Sequence, residues 1–249
     1  MKKILKLTKP EVIDITGWDF SPLTSSGRMK ETPLPWDLRE IVLTEIMGVN
    51  RMLDMGTGGG EFLSSLAPLP ENTIATENYE PNVKLAQLNL EPLGVEVVSG
   101  FKDDDLPFEN NYFDLIINRH EYYNAGEVYR ILKPGGKFIT QQVQGNCDSA
   151  ILKIFGRQPE ADKLNWKLDK AAEELTEKGF TILTQTESKG FTSFRDSEAV
   201  ISYLKVINWL VPGFNELTHS NEIIQISAII KQNSCLNSEL DRFLLIAEK

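Results

Sequence analysis

The residues best suited to chemistry stand together at Asp54-Met55-Gly56-Thr57-Gly58-Gly59-Gly60-Glu61. They follow the apolar pair Met52-Leu53 and run into Phe62-Leu63, so they read as a strand end, a glycine turn and a helix start. Glycines in such a corner let the backbone take left-handed dihedrals and approach a ligand with no Cβ in the way. Spacing then separates the ligands. A dinucleotide fingerprint needs a glycine where Glu61 stands, and a phosphate-binding P-loop needs a Gly-Lys-Ser/Thr ending that is absent. Glu61 would also repel a pyrophosphate. An acidic residue two positions before a G-x-G-x-G turn instead suits a ligand carrying a cationic amino acid group.

Further polar residues follow at strand ends. Glu77 comes about twenty residues after the turn begins, where a carboxylate in an open α/β sheet offers two acceptor oxygens to a ribose diol. Lys102-Asp103-Asp104-Asp105-Leu106-Pro107-Phe108 follows the next strand; one of its three acids is placed to accept from an adenine amino group, with Phe101 and Leu106 flanking the ring. Asn118-Arg119-His120-Glu121 leave the strand after that. A neutral His120 there can take a proton from a nucleophilic oxygen or nitrogen, and Glu121 can orient it or bind a substrate cation; the alternative is that the four brace the cofactor and a neighbouring helix. Gln141 and Gln142 end a further strand, and alternation sends them to opposite faces. Cys147 reads as a small buried residue and His219 as a surface residue at a helix start.

The elements that must position these groups alternate as βα units through three quarters of the chain. The pattern predicts helices over 35–46, 81–90, 125–132 and 169–178, and strands over 73–76, 95–98, 113–117, 137–143, 180–183 and 242–247. Lys133-Pro134-Gly135-Gly136 stops one helix. Between 189 and 240 the rhythm breaks into helical patterns at 198–210 and 218–231. The expected organisation is an N-terminal extension over 1–34 and one domain over 35–249, in which the helical insertion 189–240 packs over the carboxyl edge of the sheet as a substrate cap. Trp209-Leu210-Val211-Pro212-Gly213-Phe214 is an apolar turn fit to close a pocket or to form the core of that cap.

Taken in order, the Asp54 to Gly60 corner, Glu77, the Asp103 loop and Leu132-Lys133-Pro134-Gly135-Gly136 resemble the class I S-adenosylmethionine-dependent methyltransferases, over roughly residues 35–190 and the last strand. Asn118-Arg119-His120-Glu121 and Gln141-Gln142-Val143 are similar to a bacterial subgroup of that superfamily without a defined substrate. The resemblance implies an α/β, Rossmann-like sheet of seven mostly parallel strands with an antiparallel last strand and helices on both faces. It implies S-adenosyl-L-methionine as cofactor, with Asp54, Gly56, Thr57, Gly58 and Gly60 around its methionine part, Glu77 at the ribose, Asp103 or Asp104 at the adenine, and Asn118 facing the methyl donor. His120 and Glu121 are the candidate catalytic residues. Phe101-Lys102 stands where a Gly-Asp-Ala type start is usual, which leaves the adenine acid open. The Asn/Asp-Pro-Pro-Tyr segment of amino-methylating nucleic-acid enzymes is absent, and Cys147 follows the fifth strand instead of occupying the catalytic loop of a cytosine C5 enzyme. Transfer from a sulfonium is governed by alignment and desolvation, so little general-base help is required.

Composition narrows the acceptor. The chain has 249 residues with 26 basic and 36 acidic side chains, a net charge of -10, which disfavours a sequence-independent grip on nucleic acid. Residues 190–249 carry five basic against seven acidic groups. A basic stretch of Lys2, Lys3, Lys6, Lys9, Arg28 and Lys30 is the exception. Two cysteines and two histidines form neither a disulfide framework nor a metal-ligand pattern, and no metal is expected. No secretory leader or membrane span is legible, so the expected location is the cytoplasm. The leading expectation is an enzyme methylating a small molecule. The alternatives are an RNA or protein methyltransferase using the basic N-terminal stretch, and a non-catalytic regulator that binds S-adenosylmethionine.

Overall fold

Strands that are apolar on both faces must be covered on both, and the helices between them supply that cover. A computed structural model describes residues 11–15 and 17–249; Lys2, Lys3, Lys6 and Lys9 of the basic stretch lie outside the described residues. In chain order the elements are α1 (Ser21–Ser25), β1 (Met29–Glu31), α2 (Leu38–Glu45), β2 (Arg51–Met55), α3 (Glu61–Ser65), β3 (Asn72–Thr76), α4 (Glu80–Leu90), β4 (Glu96–Val98), β5 (Phe113–Arg119), α5 (Ala125–Ile131) and β6 (Leu132–Val143). There follow α6 (Ser149–Ile154), α7 (Ala161–Leu164), α8 (Leu168–Glu177), β7 (Thr181–Ser188), β8 (Phe191–Phe194), α9 (Ser197–Val206), α10 (Ser220–Asn233), β9 (Leu236–Glu239) and β10 (Arg242–Glu248).

The chain divides into two compact units. The larger comprises Pro33–Cys147, Pro159–Gly190 and Leu240–Lys249. Its seven-stranded sheet has the order β4-β3-β2-β5-β6-β10-β7, in which β10 alone runs antiparallel to its neighbours. This is the mostly parallel sheet with an antiparallel last strand that the motifs implied. Side chains alternate between its faces. Leu53, Ile116, Phe138 and Phe243 enter one core with Val128 and Ile131 of α5 and Ala171 and Leu175 of α8. Met52, Leu115, Ile117, Ile139 and Leu244 enter the other with Leu38 and Val42 of α2 and Ala86 and Leu90 of α4. The Leu132 to Gly136 segment, read as a turn, is already the start of β6: Leu132 pairs with Phe113, and the register shifts before Leu115 meets Lys137. Gly135 absorbs the irregularity at φ 76.

The smaller unit gathers residues up to Thr32, Asp148–Gln158 and Phe191–Glu239. Its three-stranded antiparallel sheet runs β1-β8-β9 and shares a core of Leu23, Met29, Phe194, Val200 and Leu204. Arg28 makes a two-pronged ion pair with Asp196 at 2.8 and 2.6 Å, and the same carboxylate caps α9 through the Ala199 N–H at 2.8 Å. The segment 189–240 therefore holds two strands as well as its two helices. Cys147, expected to be buried, is half-buried, and both cysteines are free.

Candidate functional site

The carboxyl ends of β2, β3 and β5 lie side by side, with Met55 paired to Thr76 and to Asn118. Whatever follows those strands must share one edge, and the sequence places its polar groups there.

The corner after β2 owes its glycine spacing to backbone handedness. Gly56, Gly58 and Gly60 sit at φ 66, 63 and 85, in the left-handed region where a Cβ is strained. At Gly56 space matters as well: a Cβ would stand 2.3 Å from the Glu121 Cγ. The corner is tied down from beneath. Glu77, buried at the end of β3, accepts from the Gly58 N–H on one carboxylate oxygen and from the Tyr79 N–H on the other, each at 2.8 Å. Each oxygen keeps a second lone pair, so this carboxylate still has acceptor capacity for a diol. The Thr57 N–H donates to the Thr76 carbonyl at 2.9 Å.

Four carboxylates converge on this corner. Asp54 is 3% exposed; burial, with Glu77 adding to it against the nearby Thr57 hydroxyl and the Arg119 charge, pushes its pKa up to about 7. Glu121 keeps solvent access, yet the protein packed around it, then Glu77 and then Asp103, push it up to about 7 as well. Asp103 is half-buried and raised by burial and by Asp104, whereas Asp104 and Asp105 are exposed. Leu106 is 2% exposed, in the core cluster that contains Phe113, with its N–H donating to Glu127 at 2.9 Å. Phe101 is half-buried.

Beside the carboxylates, Asn118 is fixed by its acceptor. Its Oδ1 receives the Thr140 hydroxyl at 2.9 Å and the Gln142 amide, which also donates to the Glu121 carbonyl at 2.9 Å. The Asn118 Nδ2 is buried and finds no partner among the described residues. A buried donor without a partner costs stability and is satisfied when a ligand brings an acceptor.

His120 belongs to a second chain of bonds. The Trp36 indole, a donor only, gives its N–H to Gln141 Oε1 at 2.9 Å. The Gln141 amide must then turn its NH2 toward His120, whose Nε2 lies 3.1 Å away and so acts as acceptor. His120 is thereby held neutral with its proton on Nδ1. His120 keeps solvent access, yet the protein packed around it, then Arg119 and then Arg242, work in the same direction and lower its pKa to about 3. Gln141 and Gln142 thus do serve opposite faces, and both are buried.

Arg242 and Trp36 were not singled out by sequence. For Arg242 a signal existed: the first residue of an antiparallel last strand falls at the carboxyl edge of its parallel neighbours, here opposite Val143. Together with Phe62, Arg119 and Gln141, these two line a cavity of about 520 Å³ in the larger unit. His219 stands at the start of α10, half-buried, with Phe155 and Phe214 beside its ring. Among the described residues there is no cluster of three His, Cys, Asp or Glu placed to hold a metal ion, and no helix long and apolar enough to cross a membrane.

Residues 53–140, from β2 through most of β6, match a family model described as a methyltransferase domain. The chain is 32% identical over 119 residues to the demethylmenaquinone methyltransferase of Thermus thermophilus, covering 43% of this chain and 53% of that protein. It is 30% identical over 141 residues to "Probable methyltransferase PMT4" of Arabidopsis thaliana, covering 51% of this chain and 23% of that one. This chain therefore spans only about a quarter to a half of the length of these curated relatives. Among solved structures, a Bacillus halodurans C-125 protein described as a candidate methyltransferase shares the fold, with a TM-score of 0.58 at 18% identity over 84% of this chain and 97% of that one.

Proposed function

We propose that the chain is a class I S-adenosylmethionine-dependent methyltransferase and that it methylates a small molecule with S-adenosylmethionine as donor. The observation that carries the proposal is the convergence of Asp54, Glu77, Asp103 and Glu121 on a corner whose glycines hold left-handed turns. Four acids gathered at one edge are costly unless something cationic joins them. When bound, S-adenosylmethionine supplies a methyl group made electrophilic by its sulfonium charge.

The residues present fit such a donor. Asp54 and Glu121 offer charge to its cationic groups, Glu77 has acceptor capacity for the ribose hydroxyls, and Asp103 is the acid of its loop best enclosed to meet the adenine. Asn118 has a donor to give. His120, by contrast, is suited to hold and to donate rather than to remove a proton: Nε2 is occupied by Gln141 and Nδ1 carries hydrogen. We therefore assign His120 to positioning the acceptor through Nδ1–H, and Glu121 to the electrostatics of the donor. The rate enhancement then comes from alignment of donor and acceptor.

Titration calorimetry with S-adenosylhomocysteine tests the donor. Wild type is expected to bind, while Gly58→Trp, which fills the corner, and Glu77→Ala, which unties it, each weaken binding at least tenfold. Unchanged affinity in both variants would sink the assignment. Incubation of the full chain with a radiolabelled methyl donor and fractionated cell extract tests the acceptor, with label expected in the small-molecule fraction rather than in RNA or protein.

A further inference from the structure

We propose that Thr140 and Gln142 are positioning residues of the donor site: they lock the Asn118 side chain with its NH2 presented as a hydrogen-bond donor, which receives the carboxylate of the ligand's amino acid group. The proposal rests on the S-adenosylmethionine reading of the corner and adds to it the group that selects one end of that ligand.

The lock is read outward from a backbone carbonyl. The Glu121 carbonyl can only accept, so the Gln142 atom 2.9 Å from it is the amide nitrogen. That same nitrogen faces the Asn118 side chain, which must answer with its oxygen, Oδ1. The Thr140 hydroxyl lies 2.9 Å from the Gln142 nitrogen, accepts there, and gives its own hydrogen to Asn118 Oδ1 at 2.9 Å. Two donors therefore hold one oxygen, and a turned Asn118 amide would set NH2 against NH2. The three side chains come from paired strands: Asn118 stands opposite Thr140, and Gln142 follows on the same face. Asn118 is 1% exposed, and its Nδ2 finds no partner among the described residues.

Chemistry selects what that nitrogen meets. Asn118 also pairs with Met55, the residue before Gly56, so it stands at the glycine end of the corner, where the amino acid part of the ligand belongs. A carboxylate arriving there joins Asp54, Glu77 and Glu121, and it needs donors. The corner's own amides are engaged. The Gly56 N–H bonds the Thr76 hydroxyl, the Thr57 N–H the Thr76 carbonyl, the Gly58 N–H Glu77, and the Gly60 N–H the Thr57 carbonyl. This separates the corner from an anion-binding loop, whose N–H groups point at the ligand. The Asn118 NH2 supplies the missing donor as a charge-assisted bond. Glu121, tied to the same Gln142 nitrogen through its carbonyl, is left to face cationic groups. One network thus sets a donor for the ligand's anion beside acceptors for its cations.

Titration calorimetry of the full chain compares S-adenosylhomocysteine with S-adenosyl-3-thiopropylamine, the same molecule without its carboxylate, at one pH and ionic strength. Wild type is expected to prefer S-adenosylhomocysteine by at least about tenfold, as for one hydrogen bond to a charged group. Asn118→Leu, which removes the donor, should abolish the preference. Gln142→Leu, which frees the amide to turn, and Thr140→Val, which removes one of its two anchors, should each reduce the preference by at least about threefold, with the carboxylate-free ligand still bound within about twofold of wild type. A merely structural role would weaken both ligands alike and leave the preference intact. Thr140→Val deletes one hydroxyl and keeps the volume, so it decides the matter if the other variants fail to fold. Equal binding of the two ligands by wild type, or a preference that Asn118→Leu or Thr140→Val leaves unchanged, overturns the proposal. Absence of S-adenosylhomocysteine binding to wild type overturns the donor reading and this assignment together, whereas binding with an unchanged preference overturns this assignment alone.

Discussion

Single atoms decide much at this site. At Gly56 the backbone stands at φ 66 and the missing Cβ leaves space that Glu121 occupies. Gly56→Ala is expected to cost about 1–2 kcal/mol of stability for left-handed strain alone, measured by urea denaturation. It should also displace Glu121 and weaken S-adenosylhomocysteine at least tenfold; full affinity would mean that the corner is not the binding surface. His120 carries a prediction about pH. Its folded pKa of about 3 lies below the usual value, so the group binds fewer protons folded than unfolded, and stability is lost as pH falls below the unfolded pKa of about 6.5. His120→Gln should remove that part of the acid sensitivity. It should also leave the shape of the kcat profile between pH 6 and 8 unchanged, because a neutral histidine that is not the base contributes no limb there. A limb near pH 6.5 in wild type that the variant lacks would restore the general-base role.

Elements place those atoms, and their legibility varied for physical reasons. The strands of the larger sheet were readable because each is a short apolar run, and the sorting of Leu53 from Met52 and Ile116 from Leu115 into separate cores follows from strand alternation. The glycine spacing was readable because three left-handed positions are required in that order. The strands β8 and β9 were not, since four residues carry little periodicity and their sheet begins with β1, more than a hundred residues earlier in the chain. Trp36 was hidden for a similar reason: its partner Gln141 is 105 residues away. At this scale α2 is a clean test. Asp37 caps it with bonds of 2.9 and 3.3 Å to the Arg39 and Glu40 N–H groups. Asp37→Ala should cost about 1 kcal/mol, seen as a lower urea midpoint with an unchanged slope, while S-adenosylhomocysteine still binds. A stability equal to wild type would show that the cap is dispensable.

Over the whole molecule, the balance of charge links stability to ligand. Asp54 and Glu121 have folded pKa values of about 7, above those of free carboxylates. Each raised group contributes stability that is fully present below the unfolded pKa of about 4 and lost as pH rises through 7. The ligand-free protein should therefore lose thermal stability from this source between about pH 4 and 7, and the carboxylates become anionic as it does so. A cationic ligand gains from that change and a neutral one does not. S-adenosylmethionine bears the sulfonium charge that S-adenosylhomocysteine lacks, so the ratio of their affinities should move toward S-adenosylmethionine between pH 6 and 8, by about fivefold if one carboxylate contributes about 1 kcal/mol. Glu121→Gln should flatten much of that slope while leaving Asp54 to supply the rest. Calorimetry of the two ligands at pH 6, 7 and 8, on wild type and variant, reads the effect directly. A ratio independent of pH in wild type would mean that the gathered acids do not meet the donor's charge. The protein's excess of acid over base would then have no part in choosing its cofactor.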